Sequence, residues 1–332
     1  MKVLVTGGSG FLGHAVVKRL LARGDSVTVF CRAPQPGLEA LGVRVLKGDI
    51  ADLSAVRYAC RGTDAVVHCA AMAGVWGPRE AYYAANVTGT RNVVAACRES
   101  GVRYLVHTST PSVVYNGGEF CGANESLPYG RKFACAYAET KAIAEKEALA
   151  ADDPAGLRVC ALRPHLIWGV GDPHLLPRVI DAARHGWLKI VGDGQNRVDI
   201  THVENAALAH VLALDALAAG RAGGRAYFIS QGEPVVLWPW INDMLARLGI
   251  EPVKKRVPVG AAKFAGGAME LLWRALPLKG EPPMTRFTAV ELSHNHWFDI
   301  SAARQDLGYA PEVSTEQGVE EFVAEYRSRG RV

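Results

Sequence analysis

The stretch that decides the fold is Val5-Thr-Gly-Gly-Ser-Gly-Phe-Leu-Gly13, near the start of the chain. Three of its glycines are spaced three residues apart, after an apolar run that predicts a strand and before a segment that predicts a helix. Glycines in this position allow a tight turn and a close approach of the backbone to a pyrophosphate, and the helix start offers it free N–H groups. The residues predicted to contact a dinucleotide here are Gly7, Gly10, Phe11, Leu12 and Gly13.

Apolar strand-like runs continue to alternate with helix-like segments through the first half of the chain. The predicted strands are Lys2–Thr6, Val27–Cys31, Val43–Lys47, Asp64–His68, Arg103–His107 and Leu157–Leu162. The predicted helices are Phe11–Arg23, Ser54–Cys60, Arg79–Ser100 and Tyr137–Ala150. This alternation predicts an α/β fold with a doubly wound parallel sheet, the Rossmann arrangement.

The rhythm changes after Arg163-Pro164, where helical patterns begin to dominate. The predicted elements are helices at Leu175–His185, Val203–Ala219, Leu237–Leu248, Gly260–Leu276 and Glu316–Ser328 and a strand at Arg225–Ser230. We therefore predict a dinucleotide-binding domain at residues 1–164, to which the chain returns at 200–230. Residues 165–199 and 231–332 are predicted to form a smaller, mostly helical substrate lobe.

Composition narrows the range of functions. The chain has 332 residues, of which 49% are hydrophobic and 21% charged, as in ordinary globular proteins. Its formal net charge of +4, without a dense Lys/Arg run, makes nucleic acid an unexpected partner. Seven dispersed cysteines without a Cys-x-x-Cys pair indicate reduced thiols in a cytoplasmic protein.

A tyrosine and a lysine one helical turn apart carry the chemistry. Tyr137 and Lys141 share a helix face, because residues at i and i+4 are neighbours on a helix. A positive charge beside a phenol favours the phenolate and lowers its pKa, which makes a poised acid and base. With a dinucleotide loop in the same chain, the pair predicts hydride chemistry at a carbonyl or alcohol.

The end of the second strand bears on the choice of dinucleotide. An NAD site usually carries a carboxylate there, whereas this chain has Phe30-Cys31-Arg32. Arg32 would neutralise a 2′-phosphate, so we predict a preference for NADP(H), with NAD(H) possible; the alternative is a solvated surface arginine. Asp49 and Ile50 follow the third strand and are predicted to contact the adenine, although Asp49 fits a loop cap equally well.

Further motifs are spread along the chain. They are His68-Cys-Ala-Ala71, Asn86-Val-Thr-Gly-Thr90, Thr108-Ser-Thr110, Leu162-Arg-Pro164 and the closing Asp299-Ile-Ser-Ala-Ala-Arg-x-x-Leu-Gly-Tyr309. Together with the glycine loop and the Tyr-x-x-x-Lys spacing, they make the chain resemble the extended short-chain dehydrogenase/reductases. The likeness runs over almost the whole chain.

Two longer stretches narrow this resemblance. Thr108-Ser-Thr-Pro-Ser-Val-Val-Tyr115 and Pro282-Pro-Met-Thr-Arg286 are similar to the 3β-hydroxysteroid and sterol-4-carboxylate dehydrogenase branch. His107-Thr-Ser-Thr-Pro-Ser-Val-Val114 and His296-Trp-Phe-Asp-Ile-Ser301 resemble a bacterial group that reduces 2-alkyl-3-oxo acids in long-chain olefin biosynthesis.

The resemblance implies roles for individual residues. Tyr137 would be the general acid, Lys141 would lower its pKa and hold the nicotinamide ribose, and Thr110 would be the hydroxyl partner, where many relatives have Ser. Ser109 and the more distant Ser112 are the alternatives, and Asn86 would help to order the nearby helix. Further predicted cofactor contacts are Ala70, Ala71 and Pro164.

The sequence says less about which residues contact the substrate. The predicted substrate contacts are Trp76, Thr110, His165 and Trp168, and Tyr82 and Phe120 are further candidates to line the cleft. Apolar residues recur at helical spacing in Val259–Leu278, which fits a core-facing helix, a lid over an acyl chain or a helix lying on a surface. His294 and His296 lack a nearby third ligand, so no metal site is predicted.

The leading hypothesis is NADPH-dependent reduction of a lipid-like 2-alkyl-3-oxo acid to the 3-hydroxy acid. Alternatives are a 3β-hydroxysteroid or sterol dehydrogenase, a nucleotide-sugar epimerase or dehydratase, and a non-catalytic dinucleotide sensor, for which Tyr137 and Lys141 would be unnecessary. We expect a cytoplasmic homodimer, and association with a membrane surface or a pathway enzyme is left open.

Overall fold

A computed structural model of the chain describes residues 1–276, 278 and 280–330. Its strands, in chain order, are β1 (Lys2–Thr6), β2 (Ser26–Cys31), β3 (Arg44–Lys47), β4 (Ala65–His68), β5 (Tyr104–Thr108), β6 (Phe120–Ala123), β7 (Arg158–Pro164), β8 (Ile167–Trp168), β9 (Ile190–Val191), β10 (Arg197–Val198), β11 (Thr201–His202), β12 (Ala226–Ile229), β13 (Val235–Val236), β14 (Arg256–Val257) and β15 (His296–Phe298).

The helices follow the same chain order. They are α1 (Phe11–Ala22), α2 (Pro36–Glu39), α3 (Leu53–Cys60), α4 (Arg79–Tyr82), α5 (Gly89–Glu99), α6 (Ala136–Leu149), α7 (Leu175–Arg184), α8 (Val203–Ala218), α9 (Leu237–Arg247), α10 (Val259–Ala275), α11 (Arg286–Glu291) and α12 (Thr315–Ser328). A 3₁₀ turn lies at Pro111–Val114, and π-helical turns lie at Tyr83–Thr88 and Ala303–Leu307.

Seven strands form one parallel sheet in the order β12-β7-β5-β4-β1-β2-β3. The strand order reverses at β1 and β4, and the carboxyl ends of these strands flank the crevice in which such sheets bind ligands. Separate apolar clusters cover the sheet, one including α1 and α8 and the other including α3 and α5. The predicted α/β fold with a doubly wound parallel sheet is confirmed.

The first βα unit forms as its sequence predicts. Strand β1 is apolar and buried from Val3 onwards, as expected for a strand covered on both faces. Helix α1 buries Val16, Val17 and Leu20 against the sheet, and Gly24, at φ +87°, ends it in the left-handed conformation that glycine favours.

A second core lies in the C-terminal part of the chain. It packs large side chains such as Trp238, Met244 and Phe322, and Trp168 lies at its centre. Strands β13, β10, β15 and β6 form a small sheet of their own, whereas β12 lies beside β7 in the large sheet. The short strands of the small sheet were not predicted, because two to four residues are too few to show a periodic pattern.

The predicted helix Arg79–Ser100 is wrong in one respect. It is interrupted by the π-helical turn Tyr83–Thr88, which inserts an extra residue between α4 and α5. Such turns are frequent at functional sites, and this one contains Asn86. Among the helices of residues 1–276, 278 and 280–330, none has the length and hydropathy needed to cross a bilayer.

Candidate active site

The glycine loop is built for close backbone approach. A Cβ atom at Gly7 would lie 2.7 Å from the backbone nitrogen of Ala70, and one at Gly13 would lie 2.2 Å from the carbonyl oxygen of Gly7. Gly7 also has φ +70°, so a side chain would be strained there as well as crowded. The first turn of α1 carries no acidic residue, which leaves its positive end available to phosphates.

Tyr137 lies in the first turn of α6 and contacts Thr110. Helix α6 begins at Ala136, and Thr110 caps the 3₁₀ turn that follows β5, so both side chains lie near the carboxyl edge of the sheet. Burial raises the pKa of Tyr137 to about 12, and the hydrogen bond with Thr110 opposes that rise. At neutral pH the phenol therefore carries its proton, the form that donates to a developing alkoxide.

Lys141 is buried one turn further along α6. Its Nζ donates a hydrogen bond to the carbonyl oxygen of Thr108 at 2.5 Å and lies 3.5 Å from Nε2 of His107. Burial lowers the pKa of Lys141 to about 8, against the opposing effect of Glu145. We expected Lys141 to lower the pKa of Tyr137, and the structure does not show this effect. Burial of Tyr137 raises its pKa, and the group that opposes the rise is Thr110 rather than Lys141.

Ser109 and Ser112, the alternatives to Thr110, differ from it in their contacts. Ser109 is buried and its backbone N–H donates to Leu162 at 2.6 Å, while its hydroxyl has no hydrogen-bond partner among the described residues. Ser112 lies beyond Thr110, whose hydroxyl donates to Ser112 Oγ at 3.3 Å. Of the three hydroxyls, Thr110 is the one that affects the pKa of Tyr137, and its role as the hydroxyl partner stays a prediction.

An ion pair that sequence reasoning missed holds α6 against β7. Arg163 donates to both carboxylate oxygens of Glu145 at 2.6 to 3.2 Å, with both side chains buried, and the hydroxyl of Tyr129 donates to the same carboxylate. Glu145 lies four residues after Lys141, so it occupies the same helix face. That spacing was the available signal; its partner, Arg163, could not be assigned from sequence distance.

Asn86 ties α6 to the loop after β4. Its Nδ2 donates to Thr140 Oγ1 at 3.0 Å and to the Met72 carbonyl at 3.1 Å, and its Oδ1 accepts from the Met72 N–H at 2.8 Å. These bonds come from the π-helical turn and fix the helix that carries Tyr137. The geometry agrees with a role in ordering that helix.

Three buried histidines surround the inner end of Lys141. His68 and His107 lie with ring centroids 5.3 Å apart, and His210 shares a 2.8 Å hydrogen bond with Thr108 Oγ1. Burial and the charge of Lys141 lower the pKa of His68 to about 3 and that of His107 well below its usual value. The histidines are therefore neutral at physiological pH, and the cluster holds its positive charge on Lys141.

The residues predicted to contact the adenine end of the dinucleotide lie at the ends of β2, β3 and β4. Arg32 is exposed directly after β2, with no hydrogen bond or ion pair to any described residue. Asp49 caps its own turn by accepting from the Ala51 N–H at 2.8 Å, and Ile50 packs on Gly89. The other predicted cofactor residues, Ala70 and Ala71 after β4 and Pro164 at the end of β7, also lie at the carboxyl edge of the sheet.

A cavity of about 520 Å³ opens beside the start of α6. Its lining includes Trp76, Arg79, Cys135, Glu139, Trp273 and Arg274. Arg79 is paired with Glu139, whereas Arg274 forms no ion pair with a described carboxylate and instead lies over the Trp76 ring at 5.5 Å. Trp76 therefore lines this cavity beside Arg274, and its contact with the substrate stays a prediction.

A second, much smaller cavity of about 20 Å³ lies beyond Ser112 and is lined by His165, His296 and Phe120 among others. His165 Nε2 and His296 Nδ1 are hydrogen-bonded at 2.6 Å, and with Glu291 they bring possible ligand atoms within 4.8 Å of one another. The imidazole pair already uses one nitrogen of each ring. The absence of a metal site stays a prediction, and His294 is not part of this group.

Two aromatic predictions need correction. Trp168 is fully buried in the second core against His202 and Trp240, so its ring is a core side chain and does not line either cavity. Tyr82 is also buried, and its hydroxyl donates to the Trp76 carbonyl at 3.1 Å, so it supports Trp76 from behind. Large aromatic residues are usually packing residues, and the sequence alone did not separate the two cases.

The sequence pattern of the 3-beta hydroxysteroid dehydrogenase/isomerase family matches residues 4–259, more than half of the chain. The chain belongs to this family. A 2-alkyl-3-oxoalkanoate reductase of Stenotrophomonas maltophilia (strain K279a) is 50% identical, covering 98% of this chain and 99% of the relative. The decarboxylating sterol-4-alpha-carboxylate 3-dehydrogenase of Homo sapiens is 35% identical, covering 99% and 89%.

Solved structures share the fold of the chain. A dTDP-glucose 4,6-dehydratase double mutant from Streptomyces venezuelae, with NAD and DAU bound, has a TM-score of 0.77 at 26% identity and covers 100% of this chain and 98% of that one. As a member of the 3-beta hydroxysteroid dehydrogenase/isomerase family, the protein is an NAD(P)-dependent oxidoreductase, as predicted. It uses a nicotinamide dinucleotide, which the crowded glycine loop and the open end of α1 fit.

Proposed function

We propose that the protein reduces lipid-like 2-alkyl-3-oxo acids to the 3-hydroxy acids with NADPH. The observation that carries this proposal is Tyr137, which keeps its proton at neutral pH and follows Ala136 in the lining of a cavity of about 520 Å³. The same cavity holds Arg274, a cation without an ion pair among the described residues. Because its phenol is protonated at neutral pH, Tyr137 is in the form that acts as general acid in the reduction. The name of the 50% identical relative supports the substrate class.

The residues divide the work of the reaction. A bound nicotinamide dinucleotide supplies the hydride to C3. Tyr137 gives its phenolic proton to the C3 oxygen, and the Thr110 hydroxyl holds the phenol in place and stabilises the phenolate that remains. Lys141, charged below a pH of about 8, stabilises negative charge on this side of the site, and Asn86 and the Glu145–Arg163 pair keep α6 in position.

Arg274 gives the cavity a means to recognise a carboxylate. It is the lining cation that forms no ion pair among the described residues, since Arg79 pairs with Glu139 and the nearby Glu270 pairs with Arg286. Guanidinium groups bind carboxylates through paired N–H donors. We assign to Arg274 the carboxylate of the 3-oxo acid, while the aromatic lining accommodates alkyl groups.

The substrate proposal is tested in the reverse direction, because free 3-oxo acids lose carbon dioxide readily. NADP⁺ reduction is followed with 2-alkyl-3-hydroxy acids of increasing chain length and with their methyl esters. Each buried methylene contributes roughly 0.8 kcal/mol, so kcat/KM should rise with length. A flat response, or preference for a 3β-hydroxysteroid, moves the protein to the sterol alternative that its human relative suggests.

Arg274→Leu, tested in the same assay, distinguishes recognition of the substrate carboxylate from recognition of its alkyl chains. We expect a loss of about tenfold or more for the acids, the size of a charge-assisted hydrogen bond, and little loss for the methyl esters. Arg79→Leu is the matched control, because it removes an already paired cation from the same cavity. Equal losses for acids and esters would contradict the role of Arg274 alone.

The preference for NADPH rests on Arg32, which is exposed after β2 and free of partners among the described residues. Arg32→Ala should weaken NADPH binding and leave NADH binding nearly unchanged, since only NADPH has a 2′-phosphate. Equilibrium titration of both cofactors measures this. Tighter binding of NADH by the native protein would contradict the preference.

The proposal also covers the location of the enzyme, its oligomeric state and its domains. We assign it to the cytoplasm, because all seven cysteines are free thiols, and to a homodimer that works at a membrane surface or with a pathway enzyme. We also propose the division into a dinucleotide-binding domain at 1–164 and 200–230 and a substrate lobe formed by the rest. Most of the second apolar cluster belongs to the substrate lobe, which supports the division, whereas Phe298–Tyr309 of that lobe pack into the first cluster.

A further inference from the structure

His68 is a buried histidine with no part in the proposed reaction so far. It is the last residue of β4, at the carboxyl edge of the sheet, and both of its ring nitrogens have hydrogen-bond partners. Nδ1 lies 2.7 Å from the hydroxyl of Thr6, which precedes Gly7, and Nε2 lies 3.0 Å from the hydroxyl of Thr90 in α5. His68 therefore connects the strand that leads into the glycine loop with helix α5.

A backbone carbonyl fixes the direction of these hydrogen bonds. The Thr90 hydroxyl donates to the carbonyl oxygen of Asn86 at 2.6 Å, and a carbonyl oxygen can only accept. The Thr90 oxygen must then accept from His68, whose proton is therefore on Nε2. Burial lowers the pKa of His68 to about 3, so the ring is neutral and its Nδ1 accepts from the Thr6 hydroxyl. The Thr6 oxygen in turn accepts from the backbone N–H of Ala70 at 3.3 Å.

The same series of hydrogen bonds continues from Asn86 into α6. The Asn86 side-chain amide donates to the hydroxyl of Thr140, and that hydroxyl donates to the backbone carbonyl oxygens of Ala136 at 2.7 Å and Tyr137 at 3.1 Å. Every donor in the series, from Ala70 onwards, thus points toward the first turn of α6, and hydrogen bonds aligned in this way strengthen one another. The His68 chain is the name we give to five buried residues: Thr6, His68, Thr90, Asn86 and Thr140.

The two ends of the His68 chain lie at the two halves of the candidate active site. At one end, Ala70 crowds the glycine loop, since a Cβ atom at Gly7 would lie 2.7 Å from its backbone nitrogen. At the other end lie the first turn of α6 and the backbone of Tyr137. Breaking a buried hydrogen bond leaves polar groups without partners, so the chain resists a shift of either end relative to the other.

We propose that His68 is a positioning residue that couples the glycine loop to α6, so that a cofactor held by the loop and the phenol of Tyr137 keep a fixed separation. His68 acts through the other residues of the His68 chain. In the proposed reduction, a hydride and the Tyr137 proton must reach adjacent atoms of one carbonyl group, which requires that their donors stay in register. The effect on turnover rests on the proposed function, whereas the coupling itself does not.

Nuclear magnetic resonance of the native protein tests the direction of the His68 chain. Isotope-labelled histidine is used, because the chemical shifts of its ring nitrogens report which nitrogen carries the proton. The His68 signals are assigned through their contacts with Thr6 and Thr90. We expect the proton on Nε2 at neutral pH, and a proton on Nδ1 would overturn the proposal. This measurement needs no variant, so it decides even where a substitution prevents folding.

A double-mutant cycle between the two ends of the His68 chain tests the coupling. Thr6→Val and Thr140→Val each remove one hydroxyl at nearly constant volume. We expect each single variant to lower kcat about fivefold, the size of one hydrogen bond, and the double variant about fivefold rather than about 25-fold. Thr201→Val is the matched control, because its buried hydroxyl also donates to backbone carbonyl oxygens but lies outside the chain. Its effect should multiply with that of Thr140→Val, whereas Thr140→Ser keeps the hydroxyl and should stay near native.

A double variant that shows the product of the two losses, or single variants with native kcat, would overturn the proposal. Equal losses in Thr140→Val and Thr140→Ser would also overturn it and assign the effect to packing. The native protein, the single variants and the double variant are unfolded in urea as well, and additive free energies of unfolding would contradict the coupling without any substrate. Non-additive free energies without turnover of a 3-hydroxy acid would leave the coupling in place and contradict only the proposed reaction.

Discussion

Helices α6 and α10 each reverse the usual amphipathic pattern, in opposite ways. Helix α6 buries charged groups, with Lys141 3% exposed and Glu145 fully buried. Helix α10 exposes large apolar groups while it buries Glu270. A surface helix ordinarily buries its apolar face and leaves its charges in water.

The difference lies in where each helix finds its partners. The charges of α6 are satisfied inside the protein, by Arg163 for Glu145 and by the Thr108 carbonyl for Lys141. The exposed apolar residues of α10, Phe264, Leu271 and Leu272, have no comparable partner among the described residues. Buried charges that find partners inside the protein indicate a chemical role at that place. Exposed apolar side chains without such partners indicate an interaction with something outside the chain.

The largest effect is expected from Tyr137→Phe, which removes the proton donor of α6 and keeps the ring. General acid catalysis contributes about 10²- to 10⁴-fold, so kcat should fall by that range while NADPH affinity stays near native. Stopped-flow reduction and cofactor titration measure the two quantities. Tyr58→Phe, an exposed tyrosine, is the control, and near-native turnover of Tyr137→Phe would remove α6 from the mechanism.

Lys141→Met tests whether the buried charge of α6 costs stability. Turnover should fall, and the folded protein should gain on the order of 2 kcal/mol at pH 7, because the pKa of Lys141 is lowered from 10.5 to about 8. Between those pH values the unfolded chain binds more protons, so the native stability rises with pH. The advantage of the variant should thus shrink between pH 8 and 10.5.

Urea unfolding at pH 7 and at pH 10 measures this difference. Loss of the hydrogen bond to the Thr108 carbonyl works against the gain, and it acts at both pH values. A stability difference between native protein and variant that stays constant from pH 7 to pH 10 would show that Lys141 is not held with a lowered pKa.

Thr110→Ala should have a smaller effect than Tyr137→Phe. It removes one hydrogen bond to a group that becomes charged, which amounts to roughly a 10- to 100-fold loss in kcat/KM. Thr110→Ser keeps the hydroxyl and should recover most of the activity. The same loss in both variants would assign the effect to packing of the threonine methyl group.

The smallest effect is expected at α10. Phe264→Ser with Leu271→Ser should change the free energy of unfolding by less than about 0.5 kcal/mol, since both side chains are exposed, and should leave turnover of a short soluble substrate unchanged. Thermal and urea unfolding without lipid measure this. A clear loss of stability would show that Phe264 and Leu271 pack within the protein and would remove the contrast with α6.

The parts of the molecule that could be predicted from sequence are those that depend on patterns of residues close together in the chain. The glycine loop, the strands of the large sheet and the Tyr137–Lys141 face depend on spacings of three to five residues. The partners of α6 are different, because Glu145 meets Arg163 and Lys141 meets His107 only when β5 and β7 lie side by side. Residues so far apart in sequence carry no local signal of their contact.

Burial explains the predictions that failed. Trp168 and Trp76 look alike as isolated aromatic residues, yet one lies in the second core and the other lines the large cavity. Desolvation likewise could not be read from the spacing of Tyr137 and Lys141, and it raises the tyrosine pKa that the nearby lysine was expected to lower. Both depend on how the whole chain packs around the residue.

The most direct test of the central claim compares three substrate classes in one assay. The native protein is given NADP⁺ with a long-chain 2-alkyl-3-hydroxy acid, a 3β-hydroxysteroid or a UDP-sugar, and kcat/KM is measured for each. The account predicts a kcat/KM for the hydroxy acid at least about tenfold above the others, a difference of roughly 1.4 kcal/mol in transition-state binding. A higher kcat/KM for the steroid or the sugar would contradict it.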